Sequence, residues 1–367
     1  MHRIRIGLAA SCLMAATIGV ATAQSPSPDE TTPAPAGRIV FSHAAAGAEQ
    51  YVYTMAADGS DPVRLGSSPS MVGVPSPDGS RVAVTQQQAD GRWTSTVMGP
   101  DGSDPVSLPP PDDSDLNLSP VAWSPDGAQL ALEGWSDTDR TRNGIYTATP
   151  AGEDLSPLLT TMVPDGHAVP VAWSPDGTSL LFLQLPDDGD QGELYVLDGD
   201  STQPRRLSAE GQHVWLNGFN VAGSWSPDSG SVAYTASDAT GSAAFVVPAS
   251  GGEPVQISDL GNYPTGARFS PDDAWVLFDI AAPGAGVHEL WLVRPDGTDG
   301  HPITDPGTTG TGNCCGAWSP DGQHILFQTG DASAALLWTV DSDGTGALQV
   351  TTDPGEYSNY SWAPTAP

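Results

Sequence analysis

The string AWSPDG stands three times in this chain, at Ala122–Gly127, Ala172–Gly177 and Ala317–Gly322. Its Ser-Pro-Asp core returns at Ser76, Ser124, Ser174, Ser226, Ser270 and Ser319, spaced 48, 50, 52, 44 and 49 residues apart. A degenerate last copy, YSWAP, carries Trp362 near the C-terminal end. Self-similarity at this period restricts the chain to an array of like units, each too small to bury its own faces alone.

Every copy is followed by a short aliphatic run: RVAV, QLAL, SLLF, SVAY, WVLF and HILF. A further run, RIVF at Arg38–Phe41, opens the series without a preceding Ser-Pro-Asp. Next comes a second run such as YVYTM, LYVLD or LWLVR, then a turn such as ADGSDP or PDGTDG, then a short closing strand such as PVRL or PVQI. No helical period appears. Four short strands per repeat predict an all-β chain, a seven-bladed β-propeller of four-stranded antiparallel blades, with six blades as the alternative if one divergent unit fails to form. The first unit lacks its inner strand, and YSWAP is an inner strand lacking the rest. Joining the C-terminal strand to the first blade is therefore expected to close the ring and remove an open sheet edge.

The pattern WSPDG…(I/L)xF…LW/LYxxxxDG…LT resembles the TolB-like, WD-like propeller repeat of exported bacterial proteins, over Arg38 to Pro364. The resemblance implies the fold. Adaptors, accessory domains of serine peptidases and a few lyases use that repeat, so function has to be read from sites. TolB itself resembles a propeller preceded by a sizeable α/β domain, whereas here only a tether precedes the first blade; a role in a Tol-type envelope complex is not expected.

The segment before the repeats reads as a secretory leader over residues 1–23. His2, Arg3 and Arg5 form the basic region, an apolar stretch follows, and Ala21-Thr22-Ala23 provides the small-residue cleavage site. Residues 24–37, rich in Pro, Ser, Thr and Ala, read as an extended tether. The propeller is expected over 38–367, exported to the periplasm or beyond and not inserted in a membrane. The chain holds 44 acidic residues against 12 arginines and no lysine, a formal charge of −32. Nucleic-acid phosphates require a basic footprint, so that partner is excluded, and the charge suits a soluble monomer.

In the SPDG turn, proline presets the second position, aspartate tolerates the third and glycine takes the left-handed fourth. Its recurring aspartates are read as turn-holding groups rather than ligands or catalytic acids. The aromatic before each Ser-Pro (Trp123, Trp173, Trp225, Phe269, Trp318) is read as a wedge between blades. Strand alternation then puts both regular turns on one face of the disk and all the long, irregular loops on the other. Loops that differ on a regular scaffold are where binding resides. That face carries Trp135, Asp137 and Asp139, then His167, Asp187 and Asp188. It continues with His213, Trp215, Phe219 and Tyr263, and with Tyr357 and Tyr360 near the end. Aromatics beside carboxylates suit a glycan, a basic peptide of a protein partner, or a hard cation such as Ca2+.

Cys314 and Cys315 lie in the last long loop and join this candidate set, either as two free thiols or as one strained ring. The chain contains no G-x-S-x-G elbow and no H-E-x-x-H zinc motif, and no catalytic residue is assigned. A secreted binding protein is the reading that results. The alternative is a metal-dependent polysaccharide lyase, or another propeller enzyme, acting at the channel mouth through residues such as His167 and His213.

Overall fold

The computed structural model describes residues 37–110, 115–160, 166–186, 189, 191–199, 201, 203–215, 223–259, 263–281, 288–309, 312–330 and 333–364. Residues 1–36, which hold the expected leader and nearly all of the tether, lie outside them. The regular elements among the described residues are almost all β-strands.

Strands pair within each repeat in simple antiparallel order. The first sheet runs Glu356–Ala363, Arg38–Ala44, Tyr51–Ala56, Val63–Leu65, so the last strand of the chain pairs with the first, with Trp362 opposite Ile39. The second runs Ser70–Pro75, Val82–Gln87, Trp93–Met98, Val106–Leu108, and the third Asn117–Trp123, Leu130–Trp135, Gly144–Ala148, Ser156–Thr160. The fourth comprises Gly166–Trp173, Ser179–Pro186, Gln191–Asp198 and Arg205–Arg206; the fifth Gly223–Trp225, Ser231–Asp238, Gly241–Pro248 and Val255–Gln256. The sixth is Thr265–Phe269, Val276–Ala281, His288–Val293, His301–Pro302, and the seventh Cys314–Trp318, His324–Thr329, Leu336–Asp341, Leu348–Gln349.

A strand covered on both faces reads as an unbroken apolar run, because alternate side chains point to opposite sides and both sides are dry. The second strands follow this rule. Ile39 and Phe41 pack with Leu326 and Leu337 of the seventh sheet, while Val40 between them packs with Val82 and Val84 of the second. Leu130 and Leu132 face Ala83 and Val97, and Ala131 faces Leu180 and Phe182. Every apolar cluster is thus shared by two neighbouring sheets.

The SPDG turns are held by one hydrogen-bond pattern. Ser76, Ser124, Ser174, Ser226, Ser270 and Ser319 each donate Oγ–H to Oδ1 of the aspartate two residues on, at 2.6 Å. That Oδ1 also accepts the backbone N–H two residues further, and the serine Oγ accepts the N–H five residues on, as in Thr178 to Asp176 at 3.0 Å and Ser179 to Ser174 at 2.9 Å. The serine hydroxyl is the main cause that holds Asp78, Asp126, Asp176, Asp228 and Asp272 below the usual carboxylate range. These aspartates are spent on their own turns.

The tryptophans before the turns do more than wedge. Trp123, Trp225, Trp318 and Trp362 each donate Nε1–H to a carbonyl on the first strand of the preceding sheet: Val74, Ala172, Arg268 and Ala317, at 3.0, 3.1, 3.4 and 3.0 Å. Phe269 has no such donor, Pro75 fills the slot in the second sheet, and the Trp173 Nε1 of the fourth is buried without a hydrogen-bond partner. One element was not expected. His213–Trp215, in the connection between the fourth and fifth sheets, is a strand that pairs with Gln191-Gly192 on one side and Ala236-Ser237 on the other. It fuses those two sheets into one of nine strands.

Glycine takes the left-handed turn position at Gly79, Gly127, Gly177 and Gly322, with φ between 69° and 73°, but Ser229 and Asp273 occupy it at 63° and 62°. Asp273 is worse placed, since its Oδ1 is buried without a hydrogen-bond partner. Burial, then Asp228 and Asp272 nearby, push its carboxyl above its ordinary value. Asp273→Gly is expected to stabilise the chain by about 1 kcal/mol at pH 7, from relief of backbone strain and of an unpaired charge. The charged form is the destabilising one, so part of that gain should fade as acid protonates Asp273 in the wild type. Urea midpoints at pH 7 and pH 4 check both parts.

Candidate functional site

The residue following each aliphatic run of the second strands is polar in six of the seven sheets: Ser42, Thr85, Glu133, Thr235, Asp279 and Gln328, with Leu183 in the fourth. These side chains sit at one level, displaced toward the loop-rich face, and several reach the first strand of the next sheet. Ser42 Oγ donates to Met71 O at 2.7 Å. Thr85 and Ser119 join hydroxyl to hydroxyl at 2.7 Å. Glu133 Oε1 lies 3.9 Å from His167 Nε2. Asp279 Oδ1 accepts the Cys315 N–H at 3.1 Å. The repeat thus places a polar layer inside an apolar assembly, and two positions of that layer carry carboxylates.

Glu133 is crowded by the surrounding protein, although its side chain keeps 27% exposure. Burial raises its carboxyl to about 7, and the His167 ring lies too far off to reverse that. A carboxyl near neutrality beside an imidazole has the pKa that proton transfer at neutral pH requires. Asp279 is almost fully buried and is held by Thr265 Oγ1 at 2.8 Å as well as by the Cys315 N–H. His288 Nδ1 stands 3.7 Å from Asp279 Oδ2, an ion-pair rather than a hydrogen-bond distance, and the carboxylate raises the imidazole above its ordinary value.

Around Asp279 the structure gathers further groups from three sheets. Arg268 lies beside Tyr360, Cys315 and Asp279; burial lowers its guanidinium, and its Nε is buried without a hydrogen-bond partner. Tyr360 donates its hydroxyl to Cys314 O at 3.2 Å, and burial pushes that phenol well up. Among the described residues, no group of three or more His, Cys, Asp and Glu side chains is arranged to hold a metal ion.

The sequence-selected residues divide by location. Trp215 and Tyr263 are exposed at 41% and 68%, on consecutive connections of the loop-rich face, with His213 exposed beside Trp215. Asp137 and Asp139 are exposed and Trp135 half-buried, at the connection between the second and third strands of the third sheet. That loop is tied down by Asp115, from the segment that enters the third sheet, and by its own Asp139. Asp115 Oδ2 accepts Ser136 Oγ–H, Thr138 N–H and Thr138 Oγ1–H at 2.7, 3.1 and 2.6 Å, which lowers Asp115 to about 2. Asp139 Oδ1 caps the short helix Arg140–Arg142 by accepting the Thr141 N–H at 3.1 Å.

His167 faces Glu133, as above. Tyr357 and Tyr360 are buried, at 3% and 6% exposure, because the closing strand turns both into the cluster shared by the seventh and first sheets. The Tyr357 ring packs on His43 at 4.5 Å between centroids. Cys314 is half-buried and Cys315 buried, and both are free thiols. Asp187, Asp188 and Phe219 lie outside the described residues. The polar layer as such, with Asp279 and Arg268, was missed from sequence; aligning the repeats one residue beyond each aliphatic run finds Glu133 and Asp279.

Four-stranded antiparallel sheets packed face to face, with loops of uneven length gathered at one side, define a β-propeller. The TolB beta propeller domain model matches residues 92–366, and the chain belongs to that family. An uncharacterized protein of Agrobacterium fabrum, Atu1656, is 24% identical over 214 residues, 57% of this chain and 65% of that protein. TolB from Acinetobacter baumannii superposes with a TM-score of 0.53 at 18% identity, covering 88% of this chain and 81% of that one. A puromycin hydrolase gives 0.65 at 17% identity, covering 88% of this chain and 53% of the hydrolase. At these identities the likeness is one of fold.

Glu133 gives a pH-dependent prediction. Its folded-state value lies above the ordinary 4.5, so ionisation destabilises the fold, with a penalty that grows from about pH 4.5 to about pH 7 and is full above that. Glu133→Gln is expected to raise stability by about 1–3 kcal/mol at pH 8 and to leave it nearly unchanged at pH 4. Denaturant melts at the two pH values measure the difference. A gain of equal size at both would place its origin outside the titration.

Proposed function

We propose that this chain is an exported, seven-bladed propeller, closed by the pairing of its last and first strands, that binds a protein partner or a glycan through its loop-rich face. Residues 1–23 serve as the leader, residues 24–37 as a tether, and the mature chain acts as a monomer. Seven strand sets, each sharing an apolar cluster with the next and the last sharing one with the first, support the closed ring. The observation that carries the binding reading is the pair Trp215 and Tyr263. They are the exposed large aromatics among the described residues, and both stand on neighbouring connections of the same face. Exposed rings of this kind stack on sugar faces or peptide side chains, and the acidic surface around them favours a partner with basic groups.

A second reading rests on Glu133 beside His167. A near-neutral carboxyl and an imidazole at the channel wall fit an acid–base pair acting on a polysaccharide at the channel mouth.

The double variant Trp215→Ala/Tyr263→Ala should keep the wild-type melting temperature, because both side chains are exposed, and should lose at least about tenfold in affinity. Glycan arrays and crosslinking in the secreted fraction supply the ligands for that comparison. Unchanged binding in the double variant defeats the aromatic-face reading. Ultraviolet-detected double-bond formation from polyuronates, abolished by His167→Ala, would instead establish the enzyme.

A further inference from the structure

Cys315 adopts a φ of 68°, in the stretch of strand Cys314–Trp318 where the register against the next strand shifts. The same position, three residues before the aromatic wedge, is also left-handed in two sister strands. It is Gly266 in the sixth sheet, at 69°, and Asn359 in the first, at 48°. Glycine and asparagine are the residues that tolerate this backbone; cysteine has no conformational reason to be there. An outlier retained against its own repeat points to a task for the side chain.

The bulge also changes what the two cysteines can do. In a regular strand, neighbouring side chains point to opposite faces. Here the left-handed residue breaks the alternation: Cys315 lies in the cluster shared by the seventh and first sheets, and Cys314 packs against that same cluster. The surrounding backbone is pinned on both sides: the Cys315 N–H donates to Asp279 at 3.1 Å, and Cys314 O accepts the Tyr360 hydroxyl at 3.2 Å. Cys314 keeps some exposure, while Cys315 is buried in the cluster shared by the seventh and first sheets.

We propose that Cys314 and Cys315 form a thiol–disulfide redox couple, closing to a vicinal disulfide by exchange with a small-molecule or protein disulfide. Cys314, the more exposed, gives up its proton and attacks one sulfur of the incoming disulfide, forming a mixed disulfide. The departing thiolate takes up a proton. Cys315 then loses its proton and attacks Sγ of Cys314, closing the ring and expelling the second thiolate, which is protonated in turn. Two protein thiols are oxidised to one disulfide, and the incoming disulfide is reduced to two thiols.

Adjacent Cα atoms lie about 3.8 Å apart, below the usual disulfide span, so the closed ring is easily reopened. That makes the pair a reversible couple rather than a structural bridge. Its contact with Cys315, then burial, push the Cys314 thiol well above its ordinary value, so exchange quickens as pH rises. The oxidation state acts on the seam between the chain's last complete sheet and its closing strand.

The test equilibrates the folded chain in glutathione buffers of increasing oxidised fraction, quenches with acid, alkylates in denaturant and weighs the peptide that holds both cysteines. The expected result is a peptide two hydrogens lighter, carrying neither alkyl group nor glutathione, and restored to the dithiol by dithiothreitol. The melting temperature should differ between the two forms. Cys315→Gly, which installs the sister strand's residue, should keep the fold and abolish that redox dependence. If this variant misfolds, Cys314→Ser, with the left-handed site untouched, serves the same purpose. Two alkylated cysteines at every oxidised fraction, or a glutathione adduct that never resolves, overturns the proposal.

Discussion

A four-stranded sheet with apolar side chains on both faces is insoluble by itself, and every structural feature here follows from covering those faces. Ile39 and Phe41 turn one way and Val40 the other, so each second strand belongs to two cores at once. No sheet can be removed without exposing two neighbours. The hydrophobic effect draws sheets together without direction. Direction comes from the indole hydrogen bonds, which tie Trp123, Trp225, Trp318 and Trp362 to one carbonyl each on the sheet before.

Within that dry frame the layer holding Ser42, Thr85, Glu133 and Asp279 is the place where chemistry can differ from sheet to sheet without disturbing the packing. A hydroxyl there finds the next sheet's backbone or another hydroxyl and is satisfied. A carboxylate at the same place must be neutralised or paired. The structure takes both courses, with Glu133 raised to about 7 and Asp279 given a threonine hydroxyl, a backbone N–H and a nearby imidazole. One repeat position therefore yields a proton-carrying group in the third sheet and an anchored anion in the sixth.

Much of this was legible in the sequence, and the limits have physical causes. Strand runs and turns could be read because burial on both faces leaves continuous aliphatic stretches and because Pro, Asp and Gly have fixed backbone habits. The aspartates of SPDG were rightly assigned to their turns, where the serine hydroxyls hold them. The indole bonds could not be read, since a carbonyl acceptor has no residue code. Tyr357 and Tyr360 looked like loop aromatics until the closing strand turned them inward. Three residues, His213–Trp215, were too few to signal a strand, and their pairing depends on partners from two sheets. Of the candidate site, Trp215 and Tyr263 were visible as loop aromatics; Asp279 and Arg268 were hidden because each stands next to residues that read as core.

The extra strand at His213–Trp215 has a mechanical side. It is hydrogen-bonded to both the fourth and the fifth sheets, so those two form one continuous hydrogen-bonded sheet. Among the described residues no other joint carries such a strand; the proline and phenylalanine joints lack an indole, and at the joint of the third and fourth sheets the Trp173 Nε1 is buried without a hydrogen-bond partner. Trp215 rides on that fused sector, so the aromatic surface presented there is anchored to two sheets at once.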